Sequence, residues 1–212
     1  MMKVLKIKRQ NLTRVIREIA KSIKRGRVVI FPTDTVYGIC CDATNRKAVE
    51  KLFKIKKRPR SKPVPLFVKD IKMAKRFACI NRSQEKFLKK VWPGKVTAIL
   101  KAKPEAKKIF PEGIISPENK VGLRIPRHKL VNILLKELNR PLTGTSANIS
   151  GKPASTKIKE VLDQFKNQPL TTFDAKSDGG QPDLVIDTGN LKNSRPSRVI
   201  DLTGKAPKIL RE

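Results

Sequence analysis

Apolar positions along the chain follow two periods. In NLTRVIREIAKSIKRG, the residues Leu12, Val15, Ile16, Ile19, Ala20 and Ile23 recur at three- and four-residue steps. That spacing predicts a helix with Asn11 at its start and Gly26 at its end. HKLVNILLKELN carries a similar stripe on Leu130, Val131, Leu134, Leu135 and Leu138. Further helices are predicted in AVEKLFKI, with Val49, Leu52 and Phe53 on one side, and in DIKMAKRFA, SQEKFLKKVW and TKIKEVLDQFK. Short apolar or β-branched runs predict strands in VLKI, RVVIF, VPLFV, KVTAILKA and VGLRIP, in the opening of PLTGTSANISGKPAS, and in LVIDTG, RVIDLT and PKIL. Pro65 gives VPLFV an edge position or an irregular start. KPEAKKIFPEGIISPENK reads as a polar connection. Its stretch from Ser116 to Lys120 is expected to be the most mobile in the chain, followed by Ser177 to Pro182. No repeat or low-complexity linker interrupts the mixture. It predicts one α/β or α+β domain over 1–212 with a large, mostly mixed sheet.

Composition narrows the class. At 212 residues and 38% hydrophobic content, the chain can bury a substantial core. Lys and Arg exceed Asp and Glu so far that the formal net charge is +31, which favours polyanionic partners without deciding which. Cys40, Cys41 and Cys79 show no metal-ligand spacing and read as reduced, small core residues of a cytoplasmic protein. No signal-peptide pattern and no membrane-spanning stretch are present, so a membrane partner is not expected.

The usual phosphate-binding motifs are absent. A phosphate site would have to be built from side-chain cations and loop amides. Candidates are plain in FKIKKRPRSKPVPLFV, which carries six cations within the nine positions from Lys54 to Lys62. PTDTVYG sets two hydroxyls around Asp34, and GTSANISG adds Thr145, Ser146, Asn148 and Ser150. Loops of this kind arrange hydroxyls and backbone N–H groups around an oxyanion when a fold brings them to one sheet end. His128 is the only histidine and reads as a surface or helix-capping residue rather than a catalytic base. Clusters of metal ligands are missing, although Mg²⁺ can arrive with a nucleotide and need few protein ligands.

These segments, in this order, resemble the YrdC-like family of L-threonylcarbamoyladenylate synthases from about Asn11 to Arg211. GRVVIFPTDTVYGICCDA is similar to the family's opening strand-loop-strand, and Lys56 and Arg58 to its K-x-R element. WPGKVTAIL matches W-P-G-x-x-T, VGLRIPRH matches V-x-x-R-x-P-x-H, Ser146 and Asn148 match S-x-N, and PSRVIDLTG is similar to the family's P-S-T-V-[IV]-D ending. The resemblance implies an α/β fold whose twisted sheet has a concave basic face. It implies a reaction of L-threonine, bicarbonate and ATP that yields threonylcarbamoyl-AMP and pyrophosphate. Partner transferase proteins would then use that product to modify adenosine 37 of tRNA. It assigns Thr35, Phe67, Arg124 and Ser197 to threonine, with Arg124 on the carboxylate. It assigns Lys56, Arg58, Lys62, Ser146, Asn148 and Arg211 to the nucleotide, with Lys56, Arg58, Ser146 and Asn148 as the catalytic set. Lys54, Lys57 and Arg60 are expected to be ordinary solvated cations.

The chain departs from the family pattern in two places. Phe67 stands where many relatives carry a histidine that touches threonine, and Arg198 stands where a threonine follows the late serine. The chain ends at Glu212, so it is expected to be a short form whose site closes by its own loops or a partner. The competing reading is a basic module of the same fold that binds double-stranded or structured RNA, tRNA included. The charge supports it. The low aromatic content, 5%, argues against a reader that stacks single-stranded bases.

Overall fold

A computed structural model describes residues 2–7, 11–166 and 180–212. Its elements in chain order are β1 (Lys3–Lys6), α1 (Leu12–Lys24), β2 (Val29–Phe31), β3 (Gly38–Cys40), α2 (Arg46–Lys56), β4 (Leu66–Phe67), α3 (Ile71–Phe77), α4 (Arg82–Val91), β5 (Val96–Lys101), α5 (Pro104–Ile109), β6 (Lys120–Arg124), α6 (Lys129–Leu138), β7 (Leu142–Thr143), β8 (Thr145–Ser146), α7 (Ile158–Lys166), β9 (Leu184–Asp187), β10 (Arg198–Asp201) and β11 (Lys208–Arg211).

The expected mixed α/β architecture is present, with its strands divided between two sheets. The first runs β1-β9-β2-β3-β8 and the second β11-β10-β5-β6-β4-β7. Both mix parallel and antiparallel neighbours. They meet at Leu142–Ser146, where β7 belongs to the second sheet, β8 belongs to the first, and Gly144 alone separates them. Thr143 donates its N–H to the Cys41 carbonyl at 3.0 Å, and Gly144 donates to the Pro65 carbonyl at 2.7 Å, so this short segment ties the sheets together.

Period-two alternation then sorts the side chains. On β2, Val29 and Phe31 join α1 and α6 in one apolar cluster, while Ile30 joins the larger cluster on the opposite side. On the second sheet, Leu66, Ala98, Leu100, Val121, Leu123 and Ile200 point into the larger core. The alternate residues Phe67, Thr97, Ile99, Gly122, Arg124, Val199 and Asp201 line a cavity.

Helix ends follow local chemistry. Asn45 and Asp70 accept from the N–H groups of Ala48 and Met73, and Asn81 forms a capping box with Gln84. Asn11 opens α1 without a side-chain cap; its amide donates instead to the Lys6 carbonyl at 3.1 Å. Gly26, at φ +73°, follows α1 in the left-handed region that glycine enters without penalty.

Several expectations change. β4 is no edge strand: it lies between β6 and β7, and Pro65 marks only its irregular start. The polar connection after β5 contains the short helix α5. Ser116–Lys120 is a closed turn, with Ser116 N–H donating to Lys120 O and Asn119 N–H to Ser116 O, each at 2.9 Å. The stretch from Ser177 lies outside the described residues as far as residue 179. Cys40 and Cys41 are buried thiols, but Cys79 is exposed, so the core reading fails for it. His128 occupies the N-cap position of α6 with no side-chain cap, and its Nδ1 is buried without a partner.

Candidate functional site

The cavity has a volume of about 400 Å³, within the usual range for a small-molecule site. Its floor is the alternate face of the second sheet. Strand registers place Val199 beside Thr97, Asp201 beside Ile99, Ile99 beside Gly122, and Phe67 beside Arg124. Two glycines keep that floor open by letting other groups approach closely. A Cβ at Gly144 would lie 2.6 Å from the Phe67 ring, and one at Gly122 would lie 2.9 Å from Pro65 Cβ.

One end is built on the loop between β2 and β3. Thr33 donates its hydroxyl proton to Val36 O at 2.7 Å and accepts from Thr35 N–H at 3.1 Å. With its single proton used, Thr33 accepts from the Thr35 hydroxyl across their 3.0 Å contact. The loop therefore presents Asp34 in a fixed place. Asp34 accepts from Arg124 Nη2 at 2.6 Å and from the Arg127 backbone N–H at 3.0 Å. Arg124 also donates Nε–H to Gly94 O at 2.9 Å and a long 3.4 Å bond to Thr35 Oγ1. Two of its five N–H groups stay open to a ligand. Burial pushes the Arg124 guanidinium below its ordinary value and the Asp34 charge pushes back, yet an arginine so placed keeps its charge. Its Cζ lies 5.7 Å from the Phe67 ring centroid.

The other end carries Arg58 and Arg211. Arg58 donates to the carbonyls of Lys62 (2.7 Å) and Pro63 (3.0 Å), which curls its own loop around it. Arg211 on β11 grips Ser197, with Nη2 2.6 Å and Nε 3.1 Å from the Ser197 carbonyl. Ser197 shares a 2.9 Å hydroxyl contact with Thr97. Neither Arg58 nor Arg211 pairs with a carboxylate among the described residues. Burial pushes both guanidiniums down, and Arg211 adds to the effect on Arg58. Ser146, on β8, lines the same cavity and donates its hydroxyl to Asn148 Oδ1 at 2.5 Å.

The structure gathers Thr35, Arg58, Phe67, Arg124, Ser146, Ser197 and Arg211 around one cavity. Lys56, Lys62 and Asn148 do not line it. Lys56 is fully buried; its Nζ donates to Ser146 O at 2.6 Å and Asn148 O at 2.8 Å. The exposed Lys62 supplies its carbonyl to Arg58. Asn148 braces its loop by donating Nδ2 to Ile149 O and Lys152 O. Arg198 pairs with Glu212 at 2.8 Å on the surface, so that departure leaves the cavity walls untouched. Sequence reasoning passed over Asp34 as an ion-pair partner, and it passed over Thr97, Lys120 and Asp201. Lys120 and Asp201 pair at 2.8 Å within the cavity lining. A lone carboxylate inside a hydroxyl-rich loop of so basic a chain was the available signal for Asp34.

Glu118 and Asp201 are the carboxylates that line the cavity. Lys120 and Thr203 bond Asp201. Among the described residues, no group of three or more His, Cys, Asp or Glu could hold an ion. No described helix is long and apolar enough to cross a membrane.

The Sua5/YciO/YrdC family model, described as "Telomere recombination", matches residues 21–212. The chain belongs to that family. A Methanocaldococcus jannaschii relative, provisionally named threonylcarbamoyl-AMP synthase, is 34% identical over 201 residues, covering 94% of this chain and 86% of its own. The threonylcarbamoyl-AMP synthase of Pyrococcus abyssi is 32% identical over 197 residues, or 92% of this chain and 53% of that longer one. The crystal structure of P. abyssi Sua5 in complex with L-threonine superposes with a TM-score of 0.82 at 30% identity, covering 100% of this chain and 57% of that chain. The structure of E. coli YciO, at 24% identity and a TM-score of 0.81, covers 100% of this chain and 95% of its own and shares the fold.

Proposed function

We infer that the chain is an L-threonylcarbamoyladenylate synthase, a nucleotidyltransferase that makes threonylcarbamoyl-AMP and pyrophosphate from L-threonine, bicarbonate and ATP. The product serves the threonylcarbamoyladenosine modification of tRNA position 37. The observation that carries this reading is a single cavity with two different cationic ends, in a chain similar to proteins of that name. A buried, oriented arginine suits an amino-acid carboxylate, and two uncompensated arginines suit a triphosphate.

In this reading, the threonine amine and bicarbonate condense to a carbamate with loss of water. A carbamate oxygen then attacks the ATP α-phosphorus, forming the new P–O bond as the bond to pyrophosphate breaks. The carbamate is already an anionic nucleophile, so no strong side-chain base is required. The protein's task is to hold two anions together and to offset charge as it builds on the phosphate oxygens. Arg124 and Thr35 orient the amino acid against Phe67, and Ser197 reaches it from the Arg211 side. Arg58, Arg211 and Ser146 face the nucleotide. Mg²⁺ would supply charge neutralisation on the phosphates. The donor set described above fits an ion carried by the nucleotide and its waters, with few or no protein ligands.

Residues 1–212 would act as one domain, in the cytoplasm, where ATP and tRNA are at hand, and pass the product to transferase partners. The RNA-binding alternative rests on the net charge of +31. The contrast between the paired Arg124 and the open Arg58 and Arg211 favours the enzyme. Mass spectrometry of protein incubated with ATP, Mg²⁺, threonine and bicarbonate should detect threonylcarbamoyl-AMP. No product, together with no threonine or ATP binding, would overturn the reading.

A further inference from the structure

Lys56 closes α2, and the next residue, Lys57, sits in the left-handed region at φ +48°. The chain turns there, so Lys56 and Arg58 leave it in different directions. Arg58 enters the cavity. Lys56 continues the buried face of the helix, three and four residues beyond Phe53 and Leu52, and is 1% exposed. Its Nζ donates to the carbonyls of Ser146 and Asn148, and its own carbonyl accepts from Ser150 N–H at 2.7 Å. Helix end and loop therefore hold each other at three points. They lie directly behind Ser146, which faces the cavity.

We propose that Lys56 is a positioning residue whose side-chain nitrogen sets the backbone of residues 146–148, and through it the place of Ser146, without touching the nucleotide. A lysine that reached into the cavity would abandon two carbonyls, both at short hydrogen-bond distance. Burial, with Arg58's charge adding to it, lowers the Lys56 ammonium to about 7. A neutral amine still has two N–H groups for those two carbonyls, so the clamp holds in either protonation state. Arg58 is the charged group that acts on Lys56; the facing loop segment 146–150 brings no titratable side chain.

The inference rests on the synthase reading for its assay, and the test separates the two. Lys56→Met and Ser146→Ala should each lower kcat/KM, and the double variant should fall no more than about threefold below the weaker single variant, because one acts through the other. Lys56→Gln, neutral but still a donor, should recover part of the loss. Multiplied losses in the double variant, or no recovery in Lys56→Gln, would overturn the proposal. A second arm needs no variant and no turnover. In wild-type protein carrying ¹⁵N-lysine and ¹³C carbonyls, Lys56 Nζ should show couplings across its hydrogen bonds to the carbonyl carbons of Ser146 and Asn148, with ATP and without it. Loss of both couplings on ATP addition would overturn the positioning role. If wild-type protein forms no product, the synthase reading fails while these couplings still decide Lys56.

Discussion

At one end of the cavity, the Arg124 side chain is 5% exposed and held 2.6 Å from Asp34, itself 8% exposed; at the other end, Arg58 and Arg211 have, among the described residues, backbone carbonyls and a serine hydroxyl for partners. The first end is neutralised before any ligand arrives. Its cation is oriented by Asp34, Gly94 and Thr35, and can recognise a small zwitterion by placement of hydrogen bonds rather than by net charge. The second end carries repulsion between Arg58 and Arg211, part of which reaches Arg124, and a polyanion would relieve it. The two ends should therefore fail differently. Damage to the open end should cost turnover, and damage to the paired end should also cost stability.

The largest effect belongs to the open end. Arg58→Ala should cut product formation by about 100-fold or more, the scale of losing one donor to a developing oxyanion, and Ser146→Ala, whose hydroxyl proton is held by Asn148 Oδ1, should lower it as well. Their melting temperatures should stay within about 3 °C of wild type, because neither side chain completes a buried ion pair. Mass-spectrometric turnover with a thermal melt checks both halves. Unchanged turnover in both variants would remove the phosphates from this end.

The paired end should respond in the melt. Asp34→Ala leaves the Arg124 guanidinium buried beside no counter-ion and frees the Arg127 N–H. Breaking such a pair from one side costs about 3 kcal/mol. In a chain of this size that is roughly 6–12 °C of melting temperature. Arg58→Ala should show no such loss. Equal melts for the two variants would erase the distinction between the ends.

Beneath the open end, Lys56 adds a pH signature. Its folded value, about 7, lies below the ordinary lysine value. Between those values the unfolded chain binds a proton that the folded chain does not, so stability rises with pH there. Above the unfolded value the penalty is absent, and it is complete once pH falls to about 7. Measured as wild type minus Lys56→Met, unfolding free energy should climb by on the order of 1 kcal/mol per pH unit between about pH 7.5 and 10. A flat difference would mean that Lys56 keeps its charge throughout that range.

The Lys56 arrangement was readable in advance from helical spacing. Val49, Leu52, Phe53 and Lys56 share one face of α2, and a cation on the apolar face of a helix is a buried cation. Charge counting hid it inside a run of six. Long stripes such as those of α1 and α6 announced themselves, because each buries several apolar residues at a fixed period. α5 did not, since a six-residue helix with one buried alanine leaves no stripe. The division into two sheets was also out of reach. It depends on Leu142–Ser146 pairing with strands about 75 to 110 residues upstream, which local patterning does not encode. Thr35, Arg58, Phe67, Arg124, Ser146, Ser197 and Arg211 were found through motif order. Asp34 and Thr97 were missed because their partners, Arg124 and Ser197, stand 90 and 100 residues away.

The smallest effect tests the neighbours of Arg58. Arg60 lies two positions on in the same basic run, but its Cζ rests 4.4 Å from the Phe53 ring centroid and its Nη1 donates to Glu112 O at 3.2 Å, outside the cavity lining. Arg60→Ala should lose about 0.5–1 kcal/mol of stability from that stacking, seen as a melt lowered by about 1–4 °C. Its turnover should remain within about twofold of wild type, since a screened surface charge adds little at this distance. Comparison with Arg58→Ala at equal ionic strength is decisive. If Arg60→Ala matched the loss in Arg58→Ala, the loop would act on its substrate as a diffuse positive field. If only Arg58→Ala fell, the site would depend on where a guanidinium is held, and the +31 charge would be background to it.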